Sequence, residues 1–191
     1  MRAKRDTPWG PFPTYINEKL FSEVVRRHGF PPRSRDPVEE RRLFWRHWAR
    51  VYTDYIDRVI KLCDSLAEKL IAIAGELRKA EEELSSAISE RRDTAPIEDR
   101  IYRSAHAAQL TLGRMYNLGC LERPPSYNPY RPAPITPIPL REVLSGELLK
   151  SSRAAGALEN LAKRWEVNRR AMESFKAEIA RKTAELAGTP L

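Results

Sequence analysis

The sequence predicts an all-α protein with a long antiparallel helical hairpin core. Its 191 residues include only eight glycines and five phenylalanines, while the helix formers alanine, leucine, glutamate and arginine are abundant. Apolar residues recur at intervals of three and four through most of the chain. We predict four segments: an N-terminal arm with a short helix (1–36), the hairpin core (37–122), a proline-rich linker (123–139) and a C-terminal helical segment (140–191).

The N-terminal segment is predicted to be an extended arm followed by one short helix. Three prolines interrupt residues 1–13, and proline breaks a helix by removing a backbone donor. From about Asn17 to His28 the apolar residues share one helical face, and Gly29 supplies the C-terminal stop. We interpret His28 as a residue that favours the helix end, because a cation there complements the helix dipole.

A long helix begins at the strongest structural pattern in the sequence. Asp36 is predicted to cap it, Pro37 takes its first position, and Glu39 stands three residues after the cap. Two neighbouring apolar stripes follow, so this helix should pack on more than one side. Unbroken, it would be roughly 80 Å long, against about 40 Å for a compact domain of this size. We therefore expect it to bend or break at Thr53–Asp54 or Gly75, or to project into a partner.

Two further helices are predicted after the long one. Thr94–Pro96 opens a helix that ends at Gly119 and should return antiparallel to the long helix. Seven prolines between residues 124 and 139 predict an extended, semi-rigid strap. Because this strap separates the last segment from the hairpin, we expect that segment to pack outside the main core, on another subunit or a protein partner. It carries a heptad seam: Leu158, Trp165, Met172, Ile179 and Leu186.

Charge is unevenly distributed along the chain. The formal net charge is +8; residues 1–50 hold twelve Lys and Arg against six acids, a net of +6, residues 51–120 a net of −2, and residues 121–191 a net of +4. A basic head and tail favour a polyanionic partner, because each phosphate contact releases counterions. The alternative is a merely soluble basic surface.

We expect duplex DNA, or else RNA, as the polyanion. Arg42, Arg46 and Arg50 repeat at intervals of four and so share one face of the long helix, beside Trp45 and Trp48. The alternative for this face is a solvated basic stripe over a tryptophan-rich core. The full set of predicted nucleic-acid-binding residues is Lys4, Arg5, Arg33, Arg35, Arg41, Arg42, Arg46, Arg50, Arg169 and Arg170.

Residues 161–175 allow two interpretations. Their apolar spacing is typical of the centre of a helix-turn-helix, with Arg169 and Arg170 opening the recognition helix. However, Glu166 stands where the turn usually has glycine, and the heptad continues through the whole stretch. One continuous helix is the favoured alternative.

The two-stripe helix also predicts a homo-oligomer. It carries more apolar surface than one short return helix can cover, and monomeric proteins rarely expose patches beyond a few hundred Å². We expect one stripe to form the interface between copies: Trp48, Tyr52, Tyr55, Val59, Leu62, Leu66, Leu70, Ile73 and Leu77.

No sequence pattern indicates a catalytic centre, a cofactor or a metal site, so we expect a protein that is not an enzyme. A glycine-rich phosphate loop and a strand-elbow serine are both missing, and the three histidines share no metal-ligand spacing with the cysteines. Two cysteines are too few for a disulfide framework, and Cys63 is interpreted as a core thiol. No apolar run approaches the roughly 18 residues of a membrane span. We expect a cytoplasmic protein, in the host cytoplasm if it is viral.

Several features follow one another between Arg42 and Gly119: the aromatic pair Phe44–Trp45, a helix start at Thr53–Asp54, a Leu/Ala-rich helix from Leu66 to Glu83, the link Thr94–Pro96 and the turn Leu118–Gly119. This order resembles that of phage small terminase subunits with a helical-hairpin core. The resemblance covers under half of the chain. It implies a ring-forming protein that recognises viral DNA and hands it to the large subunit and portal of a packaging motor.

Two other classes of protein fit the same sequence. One is a helical nucleic-acid-binding subunit of a ribonucleoprotein, such as the small subunit of a CRISPR effector or a ribosome-associated protein. The other is a virion structural protein with no nucleic-acid role. The type of any co-purified nucleic acid would separate the first of these from a DNA-packaging subunit.

Overall fold

The computed structural model describes residues 6–122 and 136–188, and it confirms the predicted all-α fold, with 80% of residues in helices. A β-hairpin with two strands of two residues each precedes the helices, and a 3₁₀ turn at Leu148–Lys150 leads into the last helix. The elements in chain order are β1 (Asp6–Thr7), β2 (Gly10–Pro11), α1 (Glu18–His28), α2 (Pro37–Ser89), α3 (Ala95–Leu118), α4 (Ile138–Leu144) and α5 (Ser151–Gly188).

Both predicted helix starts are confirmed by their caps. The Asn17 side chain accepts a hydrogen bond from the Leu20 amide at 2.9 Å, and the Asp36 side chain accepts one from the Val38 amide at 3.0 Å. The second half of a capping box is not formed at Asp36, whose own amide donates to the Ser34 hydroxyl. Side-chain oxygens therefore satisfy backbone donors that each helix start leaves unpaired.

α2 is continuous for 53 residues and forms the axis of the molecule. The expected break at Thr53–Asp54 or Gly75 is wrong, because the helix continues through both positions. α5 and the N-terminal segment pack along the helix and cover its apolar stripes. α3 returns antiparallel beside its C-terminal half. α5 runs antiparallel along most of the length of α2, and the contacts that join Arg42 to Ala187 and Glu81 to Ser152 mark the two ends of this packing.

The expected separation of the C-terminal helix from the main core is also wrong. Leu158, Trp165, Met172 and Ile179 are buried in the same apolar core as the stripes of α2, and Leu186 is partly buried. The Trp165 indole donates a 2.8 Å hydrogen bond to Asp64. The heptad seam therefore finds its facing helix within the same chain, and this contact provides the second cover that the two-stripe pattern of α2 requires.

The N-terminal segment covers the first half of α2, in the position that α3 holds beside the second half. Trp9 and Phe12 are buried, so these residues are core and not a free arm. The Trp9 indole donates a 3.0 Å hydrogen bond to the Thr183 hydroxyl of α5. Where α3 ends, Gly119 adopts a φ of 82° and lies so close to the Tyr15 carbonyl that a Cβ there would collide with it. Along α2, the N-terminal segment therefore takes over as the covering element at the point where α3 ends.

Cys63 and Cys120 form a disulfide between α2 and the end of α3. The interpretation of Cys63 as a plain core thiol is therefore wrong. Disulfides persist in oxidising environments and in some hyperthermophiles, so the bond argues against an ordinary reducing cytoplasm. The cytoplasmic location stays a prediction. Among the described helices, none is long and apolar enough to cross a membrane.

Most of the proline-rich strap lies outside the described residues, but its last part begins α4. This helix starts at Ile138, with Pro139 in its first turn. Proline is tolerated there because its missing amide would have had no partner within the helix. Leu140 and Val143 of α4 are buried in the core. The predicted division into four segments stays a prediction, although the last two residues of the predicted linker, Ile138 and Pro139, belong to α4.

Candidate nucleic-acid interface

Arginines that form no salt bridge with any described residue gather where α1, the following link and the start of α2 meet. We call this set the basic end; it consists of Arg26, Arg27, Arg33, Arg35, Arg41, Arg46 and Arg50. Within residues 6–122 and 136–188, none of these arginines forms a salt bridge. Arg41 is half-buried and the others are exposed. The structure therefore places five of the predicted binding residues in one region with their charges uncompensated.

Arg46 and Arg50 line an open groove of about 420 Å³ between α2 and α5. Thr53 lines the α2 side of the groove, and Ile179 and Thr183 line the α5 side. Guanidinium and hydroxyl groups on such a surface are typical donors to phosphate oxygens. The predicted alignment of these arginines on one face of the helix is thus confirmed for the two that reach the groove.

Two acids also line the groove, but other cations already pair with them. Asp54 accepts hydrogen bonds from His28 at 3.1 Å and from Arg58 at 3.3 Å. Asp57 is paired with Lys176 of α5. Since these carboxylates have other partners, Arg46 and Arg50 remain available for an anion in the groove.

Arg42 is used differently from its two neighbours. Its Nη1 atom donates to the Glu39 carboxylate at 3.1 Å, and its Nε atom donates to the Ala187 carbonyl at 3.4 Å. A cation near the C-terminal carbonyls of α5 complements that helix dipole. Arg42 therefore joins α2 to α5 and has fewer donors left for a ligand.

The second predicted basic pair lies on an unbroken helix. α5 is continuous through residues 161–175, so the helix-turn-helix alternative is wrong and the continuous helix is confirmed. Arg169 lies 3.3 Å from the Glu173 carboxylate and 3.7 Å from that of Asp64. Arg170 is exposed and forms no salt bridge within the described part of the chain. Lys4 and Arg5 lie outside the described residues.

The stripe predicted to join copies of the protein lies mostly inside its own core. Fully or nearly fully buried members are Tyr55, Val59, Leu70, Ile73 and Leu77; partly buried members that pack on the same core are Trp48, Tyr52 and Leu66. Leu62 is 43% exposed. The assignment of the buried residues to an interface between copies is therefore wrong. Tyr52, for example, contacts the rings of Trp9, Phe12 and Phe21.

The tryptophans of α2 belong to the aromatic core and do not back the arginines at the surface. Trp45 packs edge-on against Trp9 with ring centroids 6.2 Å apart, and the ring centroids of Trp48 and His47 are 5.6 Å apart. Both are partly buried. The core interpretation of these residues is therefore confirmed.

A pair of histidines lies beneath the basic end. The rings of His28 and His47 are 6.4 Å apart, and His28 bonds Asp54. Burial, and then the neighbouring His28 and Arg50, lower the pKa of His47, although a hydrogen bond to the Gly29 backbone opposes this. The buried Nε2 atom of His47 has no hydrogen-bond partner among the described residues. The neutral form of His47 therefore predominates at pH 7.

Sequence reasoning missed an exposed aromatic pair beside the arginines. Phe30 in the link is 96% exposed and Phe44 on α2 is 41% exposed. Pro31, Pro32 and Arg33 join them around a cleft of about 170 Å³. An isolated phenylalanine between a helix stop and two prolines was the available indication, since no helical face there could bury it.

The described residues contain no group of three His, Cys, Asp or Glu that could hold a metal ion. Comparison with protein-family models, with curated proteins and with solved structures finds no match to this chain.

Proposed function

We propose that this protein is a DNA-binding, non-catalytic subunit of a viral genome-packaging assembly, similar in role to a small terminase subunit. Binding uses the phosphate backbone, through Arg46, Arg50 and the rest of the basic end. The packaging role is supported by the resemblance over residues 42–119, the region in which α2 and α3 form the hairpin.

The observation that carries DNA binding is the state of the charges in the groove. Arg46 and Arg50 have no acidic partner among the described residues, whereas the acids beside them are paired with His28, Arg58 and Lys176. If these arginines served only solubility or the packing of the helices, ion pairs with those acids would stabilise the protein further. Phosphate contacts carry no direct sequence information. Binding should therefore be weak, largely sequence-independent and steeply dependent on salt.

A homo-oligomer remains part of this proposal, but its interface must use side chains outside the core. Exposed apolar residues on α2, such as Leu62 and Ile71, are available for such a contact. A native-mass measurement that gave a single 22.0 kDa chain at micromolar concentration would remove the ring from the proposal and leave DNA binding untouched.

The test of DNA binding is a salt titration with two matched double variants. Arg46→Ala with Arg50→Ala should reduce the slope of log affinity against log salt by about two, since each lost phosphate contact removes about 0.9. The control is Arg92→Ala with Arg103→Ala. These arginines lie in the hairpin tip, by which we mean residues 78–103, and they pair there with Glu90 and Asp99.

Both double variants lose the same formal charge, so a general effect of net charge would lower both slopes equally. An equal fall would overturn the assignment of the groove, as would an unchanged slope for the Arg46 and Arg50 variant. The same titration with duplex RNA tests the ribonucleoprotein alternative, which requires RNA to bind more tightly than DNA.

A further inference from the structure

Phe30 is held out in solvent by the backbone around it. Gly29 ends α1 with a φ of 69°, a left-handed conformation that favours glycine and turns the chain away from the helix axis. Val24 and Val25, one turn earlier, pack on the core, whereas Phe30 is 96% exposed. Pro31 and Pro32 follow at once and limit the conformations of the link. An aromatic ring is thus presented to water by a stiff segment.

Phe44 provides a second, better-anchored ring at the same place. Trp45 holds it edge-on with ring centroids 5.2 Å apart, and Trp48 lies 6.4 Å away. Phe44 stands two residues from Arg46, so the two side chains leave α2 on nearly opposite sides. The cleft between Phe30 and Phe44 is therefore a surface distinct from the groove of Arg46 and Arg50.

The lining of this cleft holds one cation and one anion, and Arg35 beside it makes the surroundings net positive, which favours a nucleic acid over an apolar peptide. Arg33 lines the cleft and Arg35 follows in the same link, and neither forms a salt bridge within the residues described. Glu40 also lines the cleft. A carboxylate at that position can accept a hydrogen bond from the amino group of a base. Aromatic faces next to guanidinium groups are the combination on which unpaired bases stack while their phosphates are neutralised.

We propose that Phe30, Phe44 and Arg33 form a stacking site for an unpaired base of single-stranded nucleic acid. The inference rests on the nucleic-acid binding proposed above but uses a different face of the basic end. Duplex DNA presents no free base face, so it should not engage this cleft. The site would let the protein hold a strand end or an opened segment next to a duplex bound in the groove.

The test compares a 12-nucleotide single strand containing 2-aminopurine with the duplex of the same sequence, both bound to the full chain. Phe30→Ala should lower affinity for the single strand roughly tenfold or more, as expected for the loss of one stacked base. Affinity for the duplex should not change. Phe30→Tyr keeps an aromatic face and should retain both affinities and the quenching of 2-aminopurine.

Leu110→Ala is the matched control, because Leu110 is 70% exposed on α3, far from the cleft. Equal losses in the Phe30→Ala and Leu110→Ala variants would overturn the stacking site, as would an unchanged affinity of Phe30→Ala for the single strand. A change in native mass of Phe30→Ala without a change in single-strand binding would assign the patch to a contact between proteins and would also overturn it. In each case duplex binding through Arg46 and Arg50 would remain as proposed.

Discussion

The basic end and the hairpin tip both carry many arginines, yet they use them in different ways. In the hairpin tip Arg78 pairs with Glu159 of α5 and Arg100 pairs with Glu83, and Arg92 and Arg103 also have acidic partners. Arg91 is the exception among the arginines described there. At the basic end the arginines have no such partners within the described residues. The comparison distinguishes arginines that form ion pairs within the protein from arginines that are available to a ligand. A count of charges along the chain cannot make this distinction.

The difference arises from what packs against each end of α2. At the hairpin tip, acids of α2 meet cations or free amides of its neighbours; Glu81, for example, accepts a hydrogen bond from the Ser152 amide. At the basic end the neighbours are the C-terminal turns of α5 and the aromatic N-terminal segment, whose described carboxylates form no salt bridge with these arginines; Glu178, for example, pairs with Arg181 and Lys182 of its own helix. The arginines there therefore remain available to an anion from outside the chain.

The largest effect should follow from removing the aromatic cover of the basic end. Trp9→Ala should cost about 3–5 kcal/mol, as expected for truncation of a buried tryptophan, because Trp9 lies between α2 and the Thr183 turn of α5. Hydrogen exchange should then accelerate in α1 and the first turns of α2 more than in α3. Uniform acceleration across the helices would show that the two ends unfold as one unit and that the comparison fails.

A smaller effect should follow from breaking the disulfide, which lies between the two ends. Cys63→Ala with Cys120→Ala should lower the free energy of unfolding by about 2–4 kcal/mol, since the bond closes a long loop in the unfolded chain. The sequence separation is 57 residues. Urea titration of this variant and of the wild type, with and without reductant, measures the effect. Reductant should destabilise the wild type alone; equal sensitivity of both proteins would contradict the disulfide.

The smallest effect should be a difference in pH dependence between the ends. Burial, His28 and Arg50 lower the folded-state pKa of His47. The contribution of His47 to the free energy of unfolding is therefore complete above pH 6.5 and declines as the pH falls below that value. Asp54 and Arg58 also face this cluster. Arg100 lowers the pKa of Glu83, and Arg78 lowers the pKa of Glu159. The contribution of these ion pairs to the free energy of unfolding is therefore present above pH 4.5 and declines as the pH falls through the folded-state pKa values.

Urea midpoints at pH 7.5 and 5.5 test this contrast. The wild type should lose stability over this interval, and His47→Gln should lose less, because the neutral amide has no proton to gain. Arg100→Gln, a control in the hairpin tip, should lose as much as the wild type over the same interval. The prediction is contradicted if His47→Gln and the wild type follow the same pH dependence.

The elements that the sequence predicted well were those with local physical causes. The helix start near Asn17, the cap at Asp36 and the stop at Gly29 follow from side chains within a few residues of each other. The N-terminal segment was missed because Trp9 and Phe12 lie among prolines with no periodicity, although extended chain can be buried as firmly as a helix. The Cys63–Cys120 bond depends on where α3 ends in space, which spacing alone does not determine.

The position of α5 could not be predicted either, because it depends on contacts between segments that are distant in the sequence. Its seam and the two stripes of α2 were both visible in the sequence, and each requires a facing surface. The proline-rich linker suggested that the two would be apart, but a linker that separates segments along the chain does not separate them in space. In the candidate site, the alignment of Arg46 and Arg50 was predictable from helical spacing. The pairing of Arg42 with Ala187 was not, because it depends on that packing.

The disulfide also determines how the molecule would respond to mechanical tension. Residues 9 and 182–183 are bonded to each other at the basic end, so a force that pulled these segments apart would load that end first and peel α5 from α2. The chain between Cys63 and Cys120 would bear no load, because the covalent bond bypasses its 57-residue separation. Roughly 200 Å of potential extension is thereby withheld. Under load, the chain between Cys63 and Cys120 would not extend even after the basic end had opened.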